Sequence, residues 1–266
     1  MPDPETLLWK NISELPYFRG LLRAVEGCFY QDIQLEEPIL DLGCGDGHFV
    51  TATFENQINV GLDPWFRPLQ EAERRKAYQS CINAVGSEMP FENEYFCTVI
   101  SNSVLEHIED LDAVLKDSWR VLKPCGRLII CVPNDGFTKN LSIARFFDRI
   151  HFKGLAGAYR NFFNRISRHK HCDSPQQWVT RLESHGFVVK KWWNYFSLGA
   201  LAVLEWGHYF GLPSLICNVL FKRWILVPTK WNLFLAHQIV SGSFHEDSAQ
   251  PYGAYTFFIA EKTGKL

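Results

Sequence analysis

At 266 residues and 47% hydrophobic content, the chain can bury the core of one large α/β domain with insertions, which excludes a disordered composition. A formal net charge of −2 gives no overall basic signature for nucleic acid. None of the eight cysteines forms a CxxC pair, and Cys97 and Cys131 sit in apolar runs, so a reducing compartment is expected rather than a disulfide scaffold.

The N-terminal MPDPETLLWK lacks a basic segment followed by an apolar one, so no signal peptide is expected and the location reads as cytoplasmic. Residues 4–30 predict one or two short helices, with Leu15, Phe18, Leu22 and Val25 at roughly helical spacing and Arg19, Arg23 and Glu26 between them. A short apolar strand is expected over 39–42, broken by Gly43-Cys44-Gly45-Asp46-Gly47, with a helix from His48. A second strand follows over 59–62, then a charged helix over 68–80 and a third strand over 82–85. A fourth strand covers 96–101, a helix 111–122, and a fifth strand 127–132 after the turn Lys123-Pro124-Cys125-Gly126. This alternation predicts an α/β fold with a doubly wound, seven-stranded, mostly parallel sheet.

After Pro133 the rhythm changes. Residues 134–174 read as a helical lid, with apolar stripes at Ile143, Phe146, Phe147 and Ile150, and at Phe162, Phe163 and Ile166. Ser174-Pro175-Gln176-Gln177 has the form of a capping box with proline at the first helical position. That helix ends at Gly186, a strand starts at Phe187, and a last strand spans 255–260. The interval between those strands is too long for a simple connection, so residues 192–250 are expected to form a hydrophobic cap. The organisation is then an N-terminal helical flap over 1–37 and a domain over 38–266 carrying both insertions.

The strongest chemical signal is Ile39-Leu40-Asp41-Leu42-Gly43-Cys44-Gly45-Asp46-Gly47. Glycines at alternate positions after a strand let the backbone turn tightly and approach a ligand. Asp63, at the end of the next strand, is placed to accept both ribose hydroxyls of an adenosine. Two features favour S-adenosylmethionine over NAD. The loop lacks the fuller G-x-G-x-x-G spacing, and Asp41 at the strand end suits a cationic, amine-bearing ligand while repelling a pyrophosphate.

From 38 to 134 the sequence resembles the class I S-adenosylmethionine-dependent methyltransferases, specifically the type 11, small-molecule group. The resemblance rests on Leu40-Asp41-Leu42-Gly43-Cys44-Gly45-Asp46-Gly47, Ser87-Glu88-Met89-Pro90-Phe91, Ser103-Val104-Leu105-Glu106-His107 and Val121-Leu122-Lys123-Pro124-Cys125-Gly126. It implies the methionine moiety over Gly43, Cys44 and Gly45, the ribose on Asp63, and the adenine beside Pro64 and Trp65. Val85 stands where the family usually has an aspartate for the adenine amino group, so backbone groups near Gly86 and Ser87 are expected to serve instead. Asn102 and Ser103, after the fourth strand, are expected on the floor between cofactor and acceptor.

His107 reads either as a structural bridge or as an acid–base group. Glu106 and His107, with no further ligand nearby in sequence, do not suggest zinc, and no metal is expected. His169 and His171 stand before the capping-box helix, where one could take a proton from a hydroxyl acceptor; the alternative is a pair of solvated histidines. The 145–191 segment is rich in Arg and Lys, suited to an anionic acceptor or membrane surface, or only a solvated helix face. In the second insertion the apolar runs are too short to span a bilayer. Lys222, Arg223 and Lys230 beside Trp224 and Trp231 suit the interface of an anionic membrane, while a packed subdomain or a homodimer contact is the plainer alternative.

The function expected is methyl transfer to a small, hydrophobic or lipid-like acceptor. The rivals are a protein or nucleic-acid acceptor, and a non-enzymatic cofactor-binding or membrane module.

Overall fold

A computed structural model describes residues 1–264. Helix α1 (Pro4–Glu14) opens on Asp3, whose carboxylate accepts from the Thr6 backbone N–H at 3.0 Å, with Pro4 in the first turn. Helix α2 (Tyr17–Phe29) follows directly. The body then alternates β1 (Ile39–Leu42), α3 (His48–Thr53), β2 (Ile58–Asp63), α4 (Phe66–Arg75), β3 (Tyr78–Asn83), β4 (Phe96–Asn102), a 3-10 turn (Leu105–His107), α5 (Leu111–Val121) and β5 (Leu122–Pro133). The first insertion holds α6 (Asp135–Lys139), α7 (Ser142–Arg149) and α8 (Lys153–Ser167), and α9 (Pro175–Ser184) leads to β6 (Phe187–Tyr195). The second holds α10 (Leu198–Phe210), α11 (Leu212–Phe221) and α12 (Phe234–Phe244), before β7 (Tyr255–Lys262) closes the sheet.

The sheet has seven strands in the order β3-β2-β1-β4-β5-β7-β6. β1 to β5 pair in parallel, and β7 runs antiparallel to both β5 and β6. The order reverses between β1 and β4, so the carboxyl ends of these two strands open the crevice where such sheets hold ligands. Helices cover both faces. On one, α1, α2, α10 and α12 bury Leu8, Ile12, Leu21, Leu201 and Val240; on the other, α5 and α9 bury Leu115, Trp178 and Leu182.

Three boundaries differ from the sequence reading. The charged helix stops at Arg75 because Lys76 turns left-handed (φ 54°), and β3 begins at Tyr78, four residues earlier than the expected strand at 82. Its exposed Gln79 and Ser80 read as helix surface, whereas an edge strand carries polar side chains on its open face for the same solvation reason. β5 runs through the expected turn at 123–126, with a register shift opposite Phe96 and Thr98. β6 continues to Tyr195, past the point where the second insertion was expected to begin.

The capping box forms as expected: Ser174 Oγ accepts from Gln177 N at 3.4 Å, and Gln177 Oε1 accepts from Ser174 N at 2.8 Å. Among the described residues the cysteines are free thiols, and no helix is long and apolar enough to cross a membrane.

The two parts of the second insertion pack differently. α10 seats Ala200, Leu201, Leu204 and Gly207 in the core, where a Cβ on Gly207 would come within 2.4 Å of Phe18. α11 has no buried residue, although Leu212, Leu215, Ile216, Val219, Leu220 and Phe221 are all apolar.

Candidate active site

The glycine loop leaves β1 at the reversal point. Gly43 and Cys44 donate their backbone N–H groups to Leu62 O at 2.8 and 3.1 Å, which ties the loop to β2. Gly43 has φ 80°, and a Cβ there would lie 2.4 Å from Val104 Cγ1, so both backbone shape and space require glycine. Asp63, at the end of β2, accepts from Gly45 N on Oδ2 at 2.9 Å and from Trp65 N on Oδ1 at 2.8 Å. A carboxylate offers roughly four lone-pair positions, so about two stay open for ribose hydroxyls. Asp41 accepts from the Tyr78 hydroxyl at 2.6 Å. Burial pushes its carboxyl up to about 7, so it is only partly ionised near neutral pH, and a cation beside it favours the carboxylate.

A cavity of about 660 Å³ lies over this loop, lined by Asp41, Gly43, Cys44, Gly45, Asn102 and Ser103. Its lining stops short of Asp63, Pro64, Trp65, Gly86 and Ser87. Asp63 ends β2 and is buried, and the others follow β2 and β3, with the Trp65 side chain at the open rim, 72% exposed. The sequence-predicted cofactor residues thus divide into a methionine-side group inside the cavity and an adenine-side group on a more open shelf beside it.

A second cavity, of about 650 Å³, lies beyond Ser103. Its walls include Phe18, Leu22, Phe137, Leu204, Leu215 and Tyr255. Arg19, Arg23, Ser103 and Trp224 line both cavities and mark the passage between them. α11 roofs the pair: Leu212 and Leu215 face the second cavity, and Val219 faces the first.

What the sequence reading missed is the contribution of α2. Glu26 is fully buried and accepts four hydrogen bonds. Arg23 Nη1 (2.7 Å) and Asn102 Nδ2 (2.5 Å) reach one oxygen, and Ser103 Oγ (3.0 Å) and the Tyr195 hydroxyl (2.8 Å) reach the other. One carboxylate thereby fixes the end of β4, the end of β6 and an arginine at the passage. Ser103 needs that anchorage, since it sits at φ 53°, a conformation that costs an ordinary residue about 1–3 kcal/mol. The signal was present in the spacing: Arg19, Arg23 and Glu26 fall at i, i+4 and i+7, one helical face.

The three candidate histidines separate. His107 and His169 line the second cavity, with ring centroids 5.3 Å apart. His171 does not: its Nε2 lies 2.9 Å from Ile108 O and its Nδ1 3.8 Å from Asp173, so it braces the segment from outside. That segment is strapped down by Lys170 N and His171 N, which both donate to Glu106 O, at 2.7 and 3.1 Å. Burial, with His107 adding to it, pushes His169 down to about 3, so its imidazole is neutral but a weak base near neutral pH. Burial likewise pushes the Glu106 carboxyl up to about 8. The Glu106–His107 pair, which lacks a third ligand in sequence, gains His169 from across the fold. The basic lid is partly neutralised within itself, through Arg160 to Asp148 and Arg181 to Asp173 at 2.6 Å.

Residues 40–130 match the methyltransferase domain family. The demethylmenaquinone methyltransferase of Tropheryma whipplei (strain Twist) is 30% identical over 107 residues, 39% of this chain and 45% of that protein. The chain therefore spans less than half the length of that relative. The ubiquinone/menaquinone biosynthesis C-methyltransferase UbiE of Pectobacterium atrosepticum is 26% identical over 202 residues, 67% of this chain and 76% of that protein. Among solved structures, a geranyl diphosphate methyltransferase in complex with GPP and sinefungin aligns with TM-score 0.54 and 12% identity, over 92% of this chain and 80% of that one. The [4+2]-cyclase SpnF aligns with TM-score 0.56 and 14% identity, over 92% and 81%. At such identities the structural likeness carries the fold alone, and a cyclase among the neighbours illustrates that this fold serves more than one chemistry.

Proposed function

We propose that this chain, whose residues 40–130 match the methyltransferase domain family, transfers methyl from S-adenosylmethionine to a small hydrophobic acceptor. The observation that carries the reading is the pair of cavities meeting at Ser103. One presents a buried carboxyl and glycine backbone to a sulfonium amino acid, and the other presents aromatic and aliphatic walls. Methyl transfer from a sulfonium needs alignment of nucleophile, methyl carbon and sulfur, and exclusion of water, more than covalent help. A cavity roofed by α11 supplies both for a molecule of quinone or isoprenoid character, and the quinone methyltransferases among the relatives agree with that choice. A chamber of this size, roofed by α11, suits a small molecule better than a nucleic-acid or protein polymer.

The acceptor reaches the chamber from an anionic membrane surface. The outward side of α11 exposes Ile216, Leu220 and Phe221, and Trp231, Phe234 and Leu235 extend the apolar surface beyond it. Exposed apolar surface of this extent needs a partner, and Lys222, Arg223 and Lys230 border it, as anionic headgroups require.

Calorimetry with the cofactor, its demethylated product S-adenosylhomocysteine, and NAD tests the central claim. The first two bind and NAD does not, and Asp63→Ala weakens cofactor binding by roughly 1.5–3 kcal/mol, the scale of hydrogen bonds to a charged group. NAD binding without S-adenosylmethionine binding refutes the reading. Radiolabelled methyl from the cofactor should enter an added quinol in the lipid extract; label found instead in added tRNA or peptide refutes the acceptor class.

A further inference from the structure

We propose that Glu106, His107 and His169 form a binding site for a divalent first-row metal ion in the wall of the second cavity. One ligand atom from each of the three lies within 4.8 Å of the other two. All three residues line the cavity. Two imidazoles and one carboxylate form a donor set suited to Zn²⁺, Fe²⁺ or Co²⁺ and leave coordination positions free for an exogenous ligand.

Three further observations favour an ion over a hydrogen-bonded cluster. Glu106 is 1% exposed, yet its Oε2 has no hydrogen-bond partner. A buried carboxyl oxygen left without a partner is unfavourable, and a bound cation would relieve it. Glu106 Oε1 and His107 Nε2 stand 3.7 Å apart, too far for a hydrogen bond. Two ligands each about 2.1 Å from one tetrahedral ion are separated by about 3.4 Å, so small side-chain adjustments suffice. Finally, His107 Nδ1 lies 3.0 Å from the carbonyl of Arg168. Donation to that carbonyl places the ring proton on Nδ1 and turns the Nε2 lone pair toward Glu106, the arrangement by which outer groups orient a metal-binding imidazole. Arg19, Arg23 and Arg168 also line this cavity and would oppose a cation; the ion pair of Arg23 with Glu26 at 2.7 Å offsets one of the three.

The ion assigns the acceptor a chemical class. Because all three residues line the cavity, an ion held by them could take an acceptor hydroxyl, phenolic or enolic, and would lower the proton affinity of that oxygen. The hydroxyl proton leaves to solvent. The oxygen lone pair forms the bond to the methyl carbon, and the carbon–sulfur pair returns to sulfur as the cofactor becomes a neutral thioether. This consequence rests on the methyltransferase reading, whereas the metal site itself does not.

Full-length protein freed of metal by chelator and titrated with Co²⁺ should take up one equivalent, with visible d–d absorption that Zn²⁺ abolishes by displacement. Glu106→Gln, His107→Ala and His169→Ala should each weaken Co²⁺ binding by at least about tenfold, since loss of even an outer-shell partner costs that much. His169→Gln replaces the alanine variant if that one fails to fold. S-adenosylmethionine affinity, measured on the same samples, should hold and so reports that the variants are folded. Wild-type protein that takes up neither Co²⁺ nor Zn²⁺ stoichiometrically overturns the site, as does wild-type affinity in the three variants. Loss of cofactor binding with metal uptake intact overturns only the proposed function.

Discussion

Removing the Glu26 carboxyl should destabilise the chain and disturb the passage between the two cavities. Its two oxygens accept from Arg23, Asn102, Ser103 and Tyr195 at 2.5–3.0 Å, in a place fully closed to solvent. Glu26→Ala takes this acceptor from all four donors and leaves the Arg23 guanidinium only its 3.4 Å contact with the Asn102 carbonyl, a loss of about 3–5 kcal/mol by the cost of breaking a buried pair. For a chain of this size each kcal/mol moves the melting temperature by about 2–4 °C, so a fall on the order of 10 °C is expected. Glu26→Gln should be milder. Its amide oxygen can face Arg23 and Asn102, while its NH2 donates to the Ser103 and Tyr195 hydroxyls, which rotate to accept. That variant loses charge but not connectivity, and about 1–2 kcal/mol is expected. Scanning calorimetry with far-UV circular dichroism orders the three proteins, and S-adenosylhomocysteine binding reports the passage between the cavities. An alanine variant within about 1 kcal/mol of the parent would show that the network does not hold the site together, and the reasoning would fail.

Asp41 supplies the pH dependence. Its carboxyl is raised to about 7 by burial, so the folded state holds a proton there that the unfolded chain releases near pH 4. Its contribution to stability therefore declines as pH rises from about 4 to 7 and is flat above, by up to about 4 kcal/mol. Binding a ligand ammonium beside it favours the carboxylate, so affinity for the cofactor should fall by up to about tenfold per unit below pH 7; calorimetry in buffers of different ionisation enthalpy detects the released proton, and Asp41→Asn should abolish the slope. The chain should bind anionic liposomes reversibly, more weakly at high salt, and Leu220→Ser with Phe221→Ser should reduce flotation. A protein that stays wholly in solution at low salt, or one whose α11 is covered in a dimer by size-exclusion chromatography, removes the membrane from the scheme.

The glycine loop, the strand–helix alternation and the capping box at Ser174 were legible in the chain because each is set by residues within a few positions of one another. Backbone shape at Gly43, proton placement at a capping box and apolar runs of strand length are local physics, and they suffice to define the sheet and the cofactor loop. Glu26, by contrast, is an ordinary polar residue on an amphipathic helix until the fold seals it against Asn102, Ser103 and Tyr195, which lie 76, 77 and 169 positions away. His107 and His169 are likewise 62 positions apart in the numbering and acquire a shared role only because Lys170 and His171 strap the lid onto Glu106. Solvent distinguishes α10 from α11 in the same way: both are apolar in sequence, but only the first finds a groove, against Phe18. Composition determined that these segments would avoid water; tertiary structure decided which of them the protein could cover itself, because burial and long-range pairing are properties of the assembled surfaces rather than of any stretch of chain.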